Sequence, residues 1–263
     1  CRAAGMSDRS IWTLILSCAR TGSMVAATVF FTFVVPLIPG SERWKLDHGV
    51  PKESRKLVMK AFQASCINHA IVYPFVAWLL YPARALIEME PGGVPGGWTI
   101  AWQIVVSILL EDFGFYWCHR LLHQDFLYGY VHKQHHQFHA NVPIAAEYFH
   151  PVEDVVNILP TLLGPILLKM HLGTLALWVM IRISEIVDAH SGYSLPFSPW
   201  DFLLRIQGGA DRHEYHHSHN KGCYGSFTKF WDWVGGTDVE YNKWRAKRAA
   251  EKMQGSFERE KAE

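Results

Sequence analysis

Two stretches of this chain contain no charged residue and are too long and too apolar to lie comfortably on a water-facing surface. Thr21 to Ser41 reads TGSMVAATVFFTFVVPLIPGS, and Ala61 to Ala83 reads AFQASCINHAIVYPFVAWLLYPA. Each has 20 or more residues, enough as helix to cross about 30 Å of hydrocarbon. A third apolar stretch, WTIAWQIVVSILL at 98–110, runs directly into Glu111 and Asp112. A fourth, Val155 to Val187, is interrupted by Pro160, Pro165, Lys169 and His171 and reads as a hairpin of two short helices. A buried helix pair in a soluble protein is the alternative. The mean hydropathy is near zero only because the apolar runs alternate with strongly polar ones.

No stretch shows strand alternation, so the expected class is all-α. The architecture is an integral membrane bundle of about four to five helices or half-helices with a cytosolic, histidine-rich, metal-binding cap. It reads as one domain: membrane helices and a basic loop over 1–110, a catalytic region over 111–242, a polar tail over 243–263. Turns are expected at PGGVPGG (91–97) and QGGAD (207–211). The net charge of +1 excludes a field for nucleic acid. Cys1, Cys18, Cys66, Cys118 and Cys223 form no CxxC pair and suit a reducing compartment. The first residue is Cys1, so a trimmed N-terminus is expected.

Loop charge orients the bundle. Residues 42–60 carry Arg43, Lys45, Lys52, Arg55, Lys56 and Lys60, whereas 84–97 carries only Arg84. The positive-inside rule then makes 42–60 cytoplasmic. Counting crossings delivers 119–150 and 188–263 to that same side, and Lys243, Arg245, Lys247, Arg248 and Lys252 in the tail agree.

Those segments hold the histidines. Of 15 in the chain, 11 lie in 119–150 and 213–219. HRLLH supplies His119 and His123; HKQHH supplies His132, His135 and His136; HEYHH supplies His213, His216 and His217. Offsets of three and four share a helix face. Imidazole suits iron, copper, nickel and zinc, and eight rings exceed one four-coordinate site. The expectation is two metals, one triplet for each, with the pair divided between them. Glu111, Asp112, Glu147, Asp188, Asp211 and Glu214 are candidates to hold rings by their second nitrogen. His139 completes the stripe begun by HKQHH but is read as wall or surface. His190 is chosen as a ninth ligand. His150 is a weaker candidate, read also as pinning a helix end; His219 is read as exposed; His48, His69 and His171 are read as structural.

Other chemistries fit less well. Arg120 follows His119, so the general-base glutamate of HExxH is missing. No ExxH pattern marks a carboxylate-rich di-iron bundle. A metal transporter would place its histidines within the spans. No GxGxxG follows a strand, so no bound nicotinamide or flavin is expected. Phe113, Phe115, Tyr116 and Trp117 are read as interfacial anchors or core before pocket lining.

The order HxxxH, HxxHH, HxxHH resembles the fatty acid hydroxylase/sterol desaturase superfamily of membrane di-iron oxygenases. Within it, EDFGFYWCHRLLH (111–123), VHKQHHQF (131–138), AAEYFHPVE (145–153), DAHSGYSLPFSP (188–199) and GGADRHEYHHSHNKGCYGSFTKFWDWVGGTD (208–238) are similar to the C-4 methylsterol monooxygenase branch. The resemblance implies His119, His123, His132, His135, His136, His190, His213, His216 and His217 as ligands of two Fe ions, with His150 less firmly. Zinc is a substitute expected in a recombinant sample. It further implies O2 as co-substrate and oxidation of a sterol 4α-methyl group drawn from the bilayer. Electrons would come from cytochrome b5 or a similar carrier fed by an NAD(P)H reductase, at the endoplasmic reticulum membrane. The alternatives are another lipid oxidation of the superfamily, such as a fatty acid hydroxylase or a C-5 desaturase, and a non-redox membrane metal-binding protein.

Overall fold

A computed structural model describes residues 5–46, 49, 52–87, 93–198 and 209–260. Among these there is no strand, only an isolated bridge between Lys45 and Tyr193. His48, Cys1 and part of each expected turn lie outside the described residues; at the second turn, Gly209 takes a left-handed φ of 65° as the next helix begins.

Among the described residues, four helical runs are long and apolar enough to cross a membrane: Asp8–Leu37, Arg55–Ala85, Gly97–Leu122 and Pro151–Leu168. The first starts well before the uncharged run. Helix α1 (Asp8–Val29) is capped by the Ser7 side chain, which accepts from the Ser10 amide. It takes in two arginines that the uncharged run leaves out. Arg9 stacks over Trp78 with its guanidinium carbon 3.4 Å from the ring centroid, and Arg20 pairs with Glu147 at 2.8 Å. Partnered in this way, a cation is tolerated inside a span.

The second run joins α2 (Arg55–Ile67) to α3 (Tyr73–Leu80) through a π turn at Asn68–Val72. A π turn at Phe30–Val34 likewise ends the first span. Both sit just before a proline, Pro36 and Pro74. Proline lacks the amide that the preceding turn needs and crowds its carbonyl, and a widened turn absorbs both effects.

Helix α4 (Gly97–Leu122) exposes Val105, Leu109, Phe113, Trp117 and Leu121 at four-residue intervals, a single outward apolar stripe. After a single turn, α5 (Asp125–Tyr128), and two 3-10 segments, His132–Gln137 and Pro143–Glu147, the chain enters the hairpin. It is longer than the sequence reading: α6 (Pro151–Leu168) runs on through Pro160 and Pro165, turns at Lys169 with φ 52°, and returns as α7 (Leu172–Ala189). At Gly164, α6 lies against α4; a Cβ there would stand 2.1 Å from Ser107 Oγ. Helices α8 (Gly209–His219), α9 (Phe230–Gly235) and α10 (Val239–Glu260) complete the chain.

The bundle has two distinct ends. Met170, in the hairpin turn, is buried with Trp12 and Ile104, and Tyr81 packs against them. At the opposite end the loop between the first two spans meets the end of α7: Leu46 N–H donates to Gly192 O and Ser194 N–H to Trp44 O. Glu53, in the basic loop, accepts from the backbone amides of His139 and Ala140. All three histidine boxes and the basic loop therefore share this end.

Candidate metal centre

Helix α4 presents His119 and His123 one turn apart at its end, and α8 presents His213, His216 and His217. The HKQHH box is not an α-helical stripe. Residues His132–Gln137 form a 3-10 segment, and His139 stands outside it with an exposed ring. The end of α7 supplies His190, buried and beside the boxes.

These nine rings gather into two groups. His119, His123, His132, His136 and His216 form one; His135, His190, His213 and His217 form the other. Within each group the nitrogens lie within 4.8 Å of one another. The expectation of one triplet per metal is corrected here, because both triplets are split. Consecutive residues on a helix diverge by 100° to 120°. His135 and His136 therefore cannot converge on one point, nor can His216 and His217. In each triplet the residues four apart stay together and the middle histidine crosses to the other group.

Hydrogen bonding dictates which nitrogen faces inward. Nδ1 of His119 meets Tyr224 O at 3.0 Å, that of His190 meets Ile186 O at 2.7 Å, that of His216 meets Gly222 O at 2.6 Å, and that of His217 meets Phe138 O at 2.8 Å. A carbonyl only accepts, so each of these Nδ1 atoms carries the proton. Nδ1 of His132 is held by the Glu153 carboxylate at 2.8 Å. For the four rings fixed by carbonyls, a neutral imidazole leaves Nε2 a bare lone pair. The Nε2 atoms face one another: His119 Nε2 lies 3.1 Å from His132 Nε2, His136 Nε2 lies 3.1 Å from both His132 and His216, and His213 Nε2 lies 2.9 Å from His190 and 3.1 Å from His217. His213 Nε2 carries at most one hydrogen yet faces the bare Nε2 atoms of both His190 and His217, so at least one of these contacts sets lone pair against lone pair. Such a contact is repulsive unless a cation lies in it. Two nitrogens about 2.1 Å from one ion and at right angles to it are about 3 Å apart, which matches. The donor set therefore fits two metal ions.

The rings are held neutral, as ligands must be. Burial first, then repulsion from neighbouring rings, keeps His132, His135, His136 and His213 far below the ordinary imidazole value. His190 is pushed down to about 3 by burial and by Arg182.

Several expected supporting groups work elsewhere. Asp112 accepts from the amide and hydroxyl of Thr228, tying α4 to the turn before α9. Glu147 takes Arg20 at 2.8 Å and His69 at 2.6 Å. His69, read as structural, also meets Thr21 at 2.9 Å, so this cluster locks the first two spans to the segment before α6. Glu111 pairs with Arg182 at 2.5 Å. Asp188 accepts from Ser198, Asp211 from Tyr241, and Glu214 from the Asn141 amide. His150 lies outside both groups and caps α6 by accepting from the Val152 amide; His171 caps α7 in the same way. His219 stacks on Tyr215 with centroids 4.1 Å apart. Glu153 was not among the candidates, although it stands in AAEYFHPVE three residues after His150. Of the four aromatics, Phe113 and Trp117 face outward, Tyr116 is core, and Phe115 lines the cavity beneath the rings.

The fatty acid hydroxylase family model matches residues 104–237. The chain belongs to the fatty acid hydroxylase family. Over 228 residues it is 37% identical to a very-long-chain aldehyde decarbonylase of Oryza sativa subsp. indica, covering 83% of this chain and 85% of that one. It is 31% identical over 239 residues to a C-4 methylsterol oxidase of Schizosaccharomyces pombe, covering 87% and 77%. It is 38% identical over 192 residues to a methylsterol monooxygenase of Arabidopsis thaliana, covering 70% and 72%. No solved structure matches the chain significantly. With its four membrane-capable helices, this member of a lipid-oxidising family is a multi-pass membrane protein and an oxidoreductase.

Proposed function

We propose that this chain is a di-iron monooxygenase that oxidises the 4α-methyl group of sterol intermediates. The observation that carries the metal reading is His213 Nε2, which faces the bare Nε2 lone pairs of both His190 and His217 and can offer a hydrogen to only one of them. The substrate reading is supported by methylsterol-oxidising relatives that align with 70% to 87% of the chain.

Nine neutral imidazoles would hold two iron ions, whose redox chemistry supplies the activation of O2 when they are bound. The first round balances as R–CH3 + O2 + 2 e⁻ + 2 H⁺ giving R–CH2OH and water. No dinucleotide fingerprint is present, so a protein carrier of the cytochrome b5 kind, fed by NAD(P)H, delivers the electrons. The chain's own groups orient and exclude. Backbone carbonyls and Glu153 fix the rings, while Phe115, Phe149 and Ile186 wall the cavity below them and keep bulk water from the reacting carbon. The basic loop at the histidine end supports a cytosolic orientation, and the family implies the endoplasmic reticulum.

The rice relatives favour a second reading, action on a long-chain aldehyde. One reconstitution separates the two. The iron-loaded chain, reductase and carrier are given 4α-methyl sterols or very-long-chain aldehydes, and products are followed by mass spectrometry. Hydroxymethyl, formyl and carboxyl sterols are expected; a shortened hydrocarbon from the aldehyde, with the sterol untouched, overturns the proposal.

A further inference from the structure

Two cavities meet beneath the histidines. The first is roofed by His119, His132, His135 and His190. The second runs between α1, α6 and α7, from Arg20 and Asp154 to Val179 and Ile183. Phe149, Asn157, Arg182 and Ile186 belong to the walls of both, so they form the neck between them.

Two of these four, Phe149 and Ile186, are apolar, and a third, Arg182, is a cation paired with two carboxylates, those of Glu111 and Glu185. Asn157 differs. Its backbone carbonyl accepts from Thr161 Oγ1 at 3.1 Å, but its carboxamide makes no hydrogen bond among the described residues. It stands four residues after Glu153, hence on the same face of α6 and about 6 Å along it. Glu153 itself touches the His132 ring. A donor–acceptor pair with no partner among the described residues thus sits one helical turn below the ring shell, at the neck between the two cavities.

We infer that Asn157 recognises an uncharged oxygen, a hydroxyl, carried by the substrate carbon next to the one oxidised. This rests on the sterol reading above and deepens it. A carboxamide can both donate to a hydroxyl and accept from it, and it demands no counter-charge. In a 4-methyl sterol the 3-hydroxyl is on the ring carbon adjacent to C-4, so one group at the neck engages it while the methyl group reaches the rings. A long-chain aldehyde carries no such second oxygen. Asn157 is a positioning and specificity residue in this account.

Binding tests it without turnover. The full chain is loaded with zinc, which is redox-inert, and placed in lipid nanodiscs. Tryptophan quenching then gives Kd for a 4α-methyl-3β-hydroxysterol and for its 3-deoxy analogue. The wild type is expected to prefer the hydroxysterol by about tenfold, the size of one hydrogen bond to a neutral group. Asn157→Leu is expected to bring that preference close to one with zinc content unchanged. Asn157→Ala reads the same loss if the leucine variant does not fold. Asn157→Asp, which keeps an oxygen in place, is expected to retain most of the preference. A tenfold preference surviving in Asn157→Leu or Asn157→Ala overturns the inference, as does a wild type that binds both sterols equally. A wild type that binds neither overturns the sterol reading itself, and Asn157's role falls with it.

Discussion

The two histidine groups are built from the same boxes yet differ in saturation and outlook. The group of five draws on α4, the 3-10 segment and α8; the group of four draws on the 3-10 segment, the end of α7 and α8. Three of the four rings in the smaller group line the cavity, His135, His190 and His213, against two of five in the larger, His119 and His132. The larger group is also the one buttressed by a carboxylate, since Glu153 holds His132 whereas the smaller group's fixed rings rest on backbone carbonyls. The lesson is a division of labour. One site is over-provided with donors and anchored; the other has fewer donors and faces the cavity.

Removing one ring from each group gives the largest expected contrast. His213→Ala leaves three donors in the smaller group, and bound metal is expected to fall from two ions to one per chain by elemental analysis. Turnover should drop by more than about 100-fold, beyond the 10–100-fold that losing an outer partner costs. His123→Ala leaves four donors in the larger group, and two ions should remain. If both variants lose metal equally, the difference in saturation has no consequence and the comparison fails.

Glu153 sharpens the contrast at the next level. Glu153→Ala removes the acceptor of His132 Nδ1–H and is expected to weaken metal binding in the larger group by roughly 10–100-fold, measured by chelator competition. Glu153→Gln keeps an oxygen that accepts from the ring and should lose less. The smaller group's ion should release at an unchanged chelator concentration in both variants.

How much of this was legible beforehand divides along physical lines. Convergence of the rings was legible because repeated offsets of four place side chains together whatever the tertiary fold. The spans were legible because hydrocarbon admits few charges, though Arg20 shows the limit. Its partner Glu147 is remote in sequence, so the first span was read as starting after it. The fixed tautomers were not legible. Four of their acceptors are backbone carbonyls, which every residue owns, and only packing selects Tyr224 or Gly222. The split of each triplet was missed for a simpler reason: adjacent side chains diverge, and counting rings per box ignores that.

Acidification should act on both groups with one sign. Burial lowers these imidazole pKa values in the folded, metal-free chain, His190 to about 3, against an ordinary 6.5. The unfolded chain therefore binds more protons below pH 6.5, and stability falls as pH drops from about 6.5 toward 3. Metal-free protein is expected to unfold at a lower temperature at pH 5 than at pH 7.5, with metal widening that gap because protons and ions compete for the same nitrogens. An unfolding temperature of the metal-free chain that is flat across this range would mean the rings are not held neutral by the fold.

The smallest effect belongs to His139, and its smallness is informative. Its offset of seven from His132 would complete an α-helical stripe with His135 and His136. The chain is 3-10 there and extended at Phe138, so the stripe is broken before His139 is reached. Its ring is exposed and among the described residues meets only the carbonyl of His217, at a long 3.4 Å, while its backbone amide is held by Glu53. His139→Ala keeps that amide contact and should change stability by no more than about 0.5 kcal/mol, with metal content and turnover unaltered. A loss of metal from the smaller group in this variant would show that His217 depends on a neighbour outside the nine, and that the group of four is less self-sufficient than its Nδ1 bond to Phe138 implies.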